Sequence, residues 1–174
     1  MPEAPQVGEE VGVIQTNFGR IVVKFRPDKA PLHVKNFKEL ARSGFYDDTL
    51  FHRVIPGFMI QGGDPLTKDR ANRARHGTGG PDKRIKAEFN DLKHTKGVLS
   101  AARSSDPNSA GSQFFLMAAT SPHLDGQYSA YGEVVEGLEV IDTIVALPRD
   151  SRDNPNPANP AILESVTIHN WPLE

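Results

Sequence analysis

Between Leu50 and Asp64, one arginine and one glutamine interrupt two short apolar runs, and here the residue types could do chemistry. Residues 50–55 and 58–61 are β-prone, and Pro56-Gly57 punctuates the gap, so the spacing predicts two strands joined by a turn. Arg53 supplies a fixed cation and Gln61 an amide, while Phe58, Met59 and Ile60 supply apolar surface of three shapes. Gly62-Gly63 then let another backbone approach closely. Together these residues describe a shallow apolar pocket with one guanidinium and one amide, suited to a peptide and poorly equipped to hydrolyse a bond.

The remaining polar groups do not form a familiar reactive set. His33, His52, His76, His94 and His169 show neither HExxH nor His-x-His spacing, so no metal site is expected. Ser112 lies in Gly111-Ser112-Gln113 and lacks the GxSxG elbow of a nucleophilic serine. Zero cysteines exclude thiolate catalysis, cysteine-ligated metal and a disulfide framework. His94 is read as a local structural hydrogen-bonding residue.

The elements that must position Arg53 and Gln61 follow from periodicity. Residues 11–16 and 20–26, joined by Asn17-Phe18-Gly19, predict a hairpin with Ile21, Val23 and Phe25 on one face. Ala30-Pro31 opens a helix, since proline lacks only an N–H that the first turn leaves unused. Val34, Phe37, Leu40 and Ala41 form its apolar stripe, and Gly44 closes it. Leu138, Ile141, Ile144 and Val145 repeat that spacing in a shorter helix ending before Pro148. Strands are expected at 97–102, 113–117, 130–135 and 162–169. Many short strands with two separated helices predict an antiparallel barrel or sandwich with helices over its openings.

Two segments read as loops. Residues 68–86 carry Arg70, Arg73, Arg75, Lys83 and Arg84 around Gly77-Thr78-Gly79-Gly80, a solvated loop or a phosphate cradle, although no GxxxxGK[ST] pattern is present. Residues 148–160 contain Asn-Pro at 154–155, 156–157 and 159–160, which predicts an extended surface segment.

At 174 residues the chain fits one domain, able to bury its core without staples. Its net charge of −2 gives no bulk attraction to nucleic acid or anionic membrane. No apolar run approaches the ~20 residues of a membrane span. The acidic start lacks the parts of a signal peptide, so a cytoplasmic protein is expected, a processed export form being compatible with the same residues.

The run Phe51-His52-Arg53-Val54-Ile55-Pro56-Gly57-Phe58-Met59-Ile60-Gln61-Gly62-Gly63-Asp64 closely resembles the signature of the cyclophilins, the cyclosporin-binding family of peptidyl-prolyl cis-trans isomerases. Further echoes lie in Lys93-His94-Thr95-Lys96-Gly97-Val98-Leu99-Ser100, in Asn108-Ser109-Ala110-Gly111-Ser112-Gln113-Phe114-Phe115 and in Leu124-Asp125-Gly126. The resemblance covers roughly residues 12–168. It implies a mainly β fold, a closed eight-stranded antiparallel β-barrel with two capping α-helices; the domain is expected over residues 11–174, and residues 1–10 read as a flexible tail.

The resemblance implies rotation about X-Pro bonds. That rotation meets a barrier of ~18–20 kcal/mol from amide resonance and needs no nucleophile, metal or cofactor. Arg53 suits donation to the prolyl nitrogen lone pair as resonance is lost; taken alone, it could equally be a strand arginine facing water. Gln61 and Gln113 can hydrogen-bond a substrate backbone or simply occupy a wet strand face. By the period of two, Gln113, Phe115 and Met117 share one face, and Phe114 and Leu116 the other. The resemblance puts Gln113 and Phe115 in the cleft and Phe114 in the core. Phe58, Met59, Phe115 and Leu124 then correspond to the proline pocket; residues of these types are otherwise plain core. Ala102-Arg103-Ser104 matches the segment whose backbone pairs with bound peptide, and Gly77 a glycine lining the neighbouring subsite. The catalytic set is therefore Arg53, Gln61 and Phe58.

Three positions depart from the eukaryotic pattern. His123 stands where a tryptophan often contacts cyclosporin, Tyr128 where a histidine often lies at the pocket edge, and the loop Arg103-Ser104-Ser105-Asp106-Pro107 is one residue longer, as in bacterial members. Weak cyclosporin binding is expected. The expected partners are proline-containing peptides and unfolded protein clients, bound by a monomer without nucleic acid or membrane. A non-catalytic proline-peptide binding module is the rival reading; the retained Arg53, Phe58, Gln61 and Phe115, with no appended interaction domain, favour the enzyme.

Overall fold

The elements of the computed structural model run in the order β1 (Glu10–Thr16), β2 (Gly19–Phe25), α1 (Pro31–Arg42), β3 (Thr49–Leu50), β4 (Arg53–Ile55), β5 (Met59–Gly62), β6 (Val98–Ala101), β7 (Phe114–Met117), β8 (Ala130–Glu136), α2 (Leu138–Val145) and β9 (Ile162–Asn170). The structure describes residues 2–173; Met1, where the expected tail begins, and Glu174 lie outside the described residues. Just ahead of β1, Pro5 is buried and the Gly8 N–H donates to the Trp171 carbonyl at 2.7 Å.

The strands form one antiparallel sheet in the order β3-β9-β1-β2-β8-β6-β7-β5-β4. The mainly β architecture with two helices matches the expectation, with one correction. Among the described residues the sheet has nine strands rather than eight, and no ladder joins its edge strands β3 and β4, so it curls without closing. The cause lies in residues 50–55, which the periodicity presented as one strand. Leu50 pairs with Ile162 on β9, whereas Arg53 pairs with Gln61 on β5. Phe51 and His52 carry the chain from one sheet edge to the other, so a covalent step spans the gap where a ladder was expected.

The core explains the helices. Val34, Phe37 and Ala41 of α1 are buried, and the Phe37 ring meets Phe25, Tyr46 and Phe114 at centroid distances of 5.6, 5.2 and 5.5 Å. Pro31 occupies the first turn of α1, and Gly44 follows its end with φ +74°, a conformation that side chains resist. Val140, Ile141, Ile144 and Val145 of α2 complete the other side of this core. Among the described residues no helix is long and apolar enough to cross a membrane.

Both expected loops lack long regular elements, but the Asn-Pro segment is not simply a surface strap. Asn154 and Pro155 are buried, and Arg73 from the other loop donates to both of their carbonyl oxygens, at 3.1 and 3.0 Å. A buried backbone carbonyl needs a donor, and an arginine from across the molecule meets that need for two of them.

Candidate active site

Strand register assembles the site. Arg53 on β4 faces Gln61 on β5, Gln61 faces Phe115 on β7, and Phe115 faces Ser100 on β6, giving one row across four strands. Two residues along, Ile55, Met59 and Met117 form a second row on the same face. Val54, Ile60 and Leu116 alternate to the opposite face and join the main core. Phe114 belongs to that core at 0% exposure, whereas Phe115, at 5%, packs with Met59, Met117 and Leu124 in a separate cluster. The expected alternation therefore holds, and the cleft-side residue is itself deeply seated.

A polar chain runs along the cleft. The Arg53 guanidinium lies 3.5 Å from the Gln61 side-chain oxygen, and Gln61 Nε2 donates to Gln113 Oε1 at 3.0 Å. Gln113 Nε2 in turn donates to the carbonyls of Gly77 and Gly79, at 3.0 and 2.8 Å. The far side of this glycine loop is held by Asp64, which sequence reasoning did not single out. Its buried carboxylate accepts the N–H groups of Leu66, Gly77 and Gly79 at 2.8, 2.6 and 3.2 Å. A Cβ on Gly79 would stand 2.3 Å from that carboxylate, so glycine is required there. The sequence signal was present in Asp64 at the end of the Gly-Gly run and in the glycine spacing thirteen and fifteen residues further on.

The apolar part is a cavity of about 120 Å³. Phe58, Met59, Phe115 and Leu124 form its apolar wall. Arg53, Gln61, Ala102, Arg103 and Tyr128 line the rest of it. Arg103 stacks on the Tyr128 ring at 4.4 Å and donates to the Gln127 carbonyl at 2.8 Å. The volume is on the scale of the ~150 Å³ that accommodates a benzene ring in an apolar cavity. Gln113 and Gly77 lie in an adjoining groove of about 420 Å³ rather than in the cavity. His123 is exposed and does not line the cavity; its ring packs 6.0 Å from Phe58.

Behind the cavity, His94 stacks under Phe115, with centroids 6.1 Å apart and planes at 22°. Asp125 receives the His94 backbone N–H at 2.7 Å and lies 3.1 Å from Nδ1, while Nε2 meets the Ser100 hydroxyl at 2.9 Å. Burial lowers the pKa of this imidazole, outweighing the opposing pull of Asp125. With Ser100 fully buried, the Asp-His-Ser arrangement is a packing support rather than a nucleophile. Among the described residues no cluster of three or more His, Asp or Glu side chains is placed to hold a metal ion.

A rotation catalyst requires an apolar seat for one ring, a donor at its edge and polar groups to hold the flanking backbone, and all three meet here. Comparison with known proteins points the same way. Residues 12–168 match the family described as cyclophilin type peptidyl-prolyl cis-trans isomerase/CLD. The peptidyl-prolyl cis-trans isomerase-like 3 of Dictyostelium discoideum is 42% identical over 162 residues, covering 92% of this chain and 96% of that protein. The peptidyl-prolyl cis-trans isomerase-like 2 of Cryptococcus neoformans is 39% identical over 97% of this chain, which spans only 29% of that longer protein. Among solved structures, a Cryptosporidium parvum cyclophilin type peptidyl-prolyl cis-trans isomerase, crystallised in the presence of the dipeptide Ala-Pro, superposes with a TM-score of 0.82. It is 34% identical, covering 92% of this chain and 99% of that one. This chain belongs to the cyclophilin type peptidyl-prolyl cis-trans isomerase family.

Proposed function

We propose that this protein is a cofactor-free peptidyl-prolyl cis-trans isomerase, acting on X-Pro bonds of flexible or unfolded chains. The observation that carries the reading is Arg53. Its guanidinium has no carboxylate partner among the described residues, only the distant Gln61 oxygen, and it lines a cavity sized for one apolar ring. The two X-Pro isomers differ by ~0.5–1 kcal/mol, so the barrier is what a catalyst changes. Lowering it from ~20 to ~13–14 kcal/mol takes the reaction from tens of seconds to about a millisecond.

In this reading the proline ring enters the Phe58, Met59, Phe115 and Leu124 cavity. Gln61 and the Ala102-Arg103 backbone hold the chain beside it. As the amide twists, its nitrogen becomes pyramidal and gains a basic lone pair, to which Arg53 donates. That bond forms only as resonance is lost, so it stabilises the transition state over either ground state. The Ala-Pro dipeptide that accompanied the Cryptosporidium relative supports the choice of ligand. A monomer acting in the cytoplasm on protein clients, without nucleic acid or membrane, accords with a net charge of −2 and the absence of cysteine. His123 in place of an indole supports weak cyclosporin binding.

Exchange NMR on a short Ala-Pro peptide tests the reading. Substoichiometric protein should accelerate cis-trans exchange, Arg53→Ala should largely abolish the effect, and Arg53→Lys should lose much of it because an ammonium lacks the planar fork. Binding without acceleration would establish the rival, a proline-peptide binding module; undiminished exchange in Arg53→Ala would remove Arg53 from the centre of the mechanism.

A further inference from the structure

A second pocket, of about 350 Å³, opens on the other side of Arg53, and both Arg53 and Gln61 line it as well as the apolar cavity. Most of its remaining wall comes from the basic loop and the Asn-Pro loop. Arg73 and Thr78 belong to the basic loop, and Asp150 and Arg152 to the Asn-Pro loop. The Val54 N–H donates to the Asp153 carbonyl at 2.8 Å, which pins the Asn-Pro loop alongside the Arg53 strand.

The charges in this pocket do not cancel. Asp150 is saturated: Arg73 donates to one carboxylate oxygen at 2.9 Å, and the N–H groups of Arg152 and Asn154 donate to the other at 2.8 and 3.1 Å. Arg73 is equally committed, to Asp150 and to the two carbonyls of Asn154 and Pro155. Arg152 is exposed and, among the described residues, its guanidinium reaches only the carbonyls of Arg73 and Ala74, at the long distances of 3.4 and 3.3 Å. Among the described residues neither Arg53 nor Arg152 has a carboxylate partner, so two guanidinium charges flank the opening uncompensated.

The floor is polar as well. His52 and Asn154 are each 5% exposed, and His52 Nδ1 and Asn154 Oδ1 have no hydrogen-bond partner among the described residues. Such a floor disfavours a hydrocarbon occupant and suits a group that brings its own oxygens or retained water. The two guanidiniums disfavour lysine and arginine.

We propose that this pocket is a specificity subsite for an oxyanion side chain, a carboxylate or a phosphoryl group, on a residue flanking the client's proline. The proposal rests on the isomerase reading, since it needs the proline in the adjoining cavity. Arg152 is the specificity residue: it contacts the anion and not the rotating bond. Arg53 serves both sites, so an anion seated here also lies beside the group that acts on the prolyl nitrogen.

The test is an amide-detected NMR titration with short peptides built on Ala-Ala-Pro-Ala, in which glutamate, phosphoserine or lysine replaces each alanine in turn. At low salt, glutamate or phosphoserine at one flanking position should bind about three- to five-fold more tightly than alanine, as a largely exposed ion pair permits. Lysine there should bind more weakly. The anionic peptides should shift the amides of Ser151 and Arg152, and the preference should fade in ~1 M salt, where the Debye length is ~3 Å. Arg152→Gln should erase the preference and Arg152→Glu reverse it, each variant first checked for a native amide spectrum. A preference confined to phosphoserine would assign the group as phosphoryl, and one shared with glutamate would assign any carboxylate or phosphoryl side chain. Equal affinities at every flanking position, or a preference that survives Arg152→Glu, would overturn the proposal while leaving the isomerase reading intact. If the neutral peptide fails to shift Met59 and Phe115, the isomerase reading itself falls and this subsite falls with it.

Discussion

Gln61 Nε2 donates to Gln113 Oε1 at 3.0 Å, and through that bond the strand pair carrying Arg53 is tied to the glycine loop at residues 77–80. Neither glutamine alone would hold both walls of the cleft. Gln61 reaches from β5, and only Gln113 reaches the Gly77 and Gly79 carbonyls.

Replacing Gln113 with leucine should therefore loosen the loop without unfolding the sheet. Two side-chain-to-carbonyl bonds are lost at about 1 kcal/mol each, so hydrogen exchange at Gly77–Gly80 should quicken by roughly ten-fold or more. Isomerisation of an Ala-Pro peptide should fall several-fold although Arg53 is untouched. Exchange rates in that loop equal to wild type would show that Asp64 holds it unaided.

Phe114 and Phe115 are adjacent and both buried, but truncating them should have different consequences. Phe114 meets the Phe37, Tyr46 and Phe51 rings at 5.5, 5.6 and 6.1 Å, inside the main core. Phe114→Ala should cost about 3–5 kcal/mol of stability. Phe115→Ala opens into the cleft and should be the milder change for folding and the more severe for peptide binding and turnover. A urea denaturation series that ranks them the other way would reverse the strand's facing.

His123 offers a test of inhibitor recognition. Its exposed ring sits beside Phe58, which lines the cavity. An indole there covers more apolar area and adds an N–H donor. His123→Trp should tighten cyclosporin by about ten- to a hundred-fold, for a contact worth roughly 1–3 kcal/mol. It should also create a fluorescence response to the ligand. The natural tryptophan, Trp171, is tied through its backbone N–H to the Glu9 carbonyl beside β1 and should barely respond. Calorimetry giving the same tight affinity for both proteins would refute the idea.

Stability should fall on acidification through a buried base. Burial brings the His52 pKa down from 6.5 to about 4; the nearby Asp64 charge opposes this, and His76 and Arg53 add to it. Between those values the unfolded chain binds a proton that the folded chain does not. The folded state therefore loses stability as pH drops from 6.5 toward 4, by up to about 3 kcal/mol, with no further change from this group below 4. Burial shifts His33 and His94 in the same direction. Chemical denaturation at pH 7 and pH 4.5 should show a smaller loss in His52→Gln than in wild type, and equal losses would exclude His52 as a source.

The candidate residues of the first hairpin were readable in the chain because they are local. Arg53, the Pro-Gly turn, Phe58, Met59 and Gln61 lie within nine residues on one hairpin, and alternation alone separates Phe115 from Phe114. Periods of 2 and 3.6 likewise disclosed most strands and both helices. What depended on tertiary structure was whatever required long-range partners. Residues 50–55 look like one strand, and only the positions of β9 and β5 divide them into β3 and β4 and leave the sheet unclosed. Asp64 reads as the end of a motif until Gly77 and Gly79 fold back onto its carboxylate. Arg73 reads as one of several basic residues in the 68–86 loop. Among the described residues the fold commits Arg73 to Asp150 and leaves Arg152 without a carboxylate, a distinction that side-chain type and spacing do not encode, because it depends on which carboxylate the folded chain brings within reach.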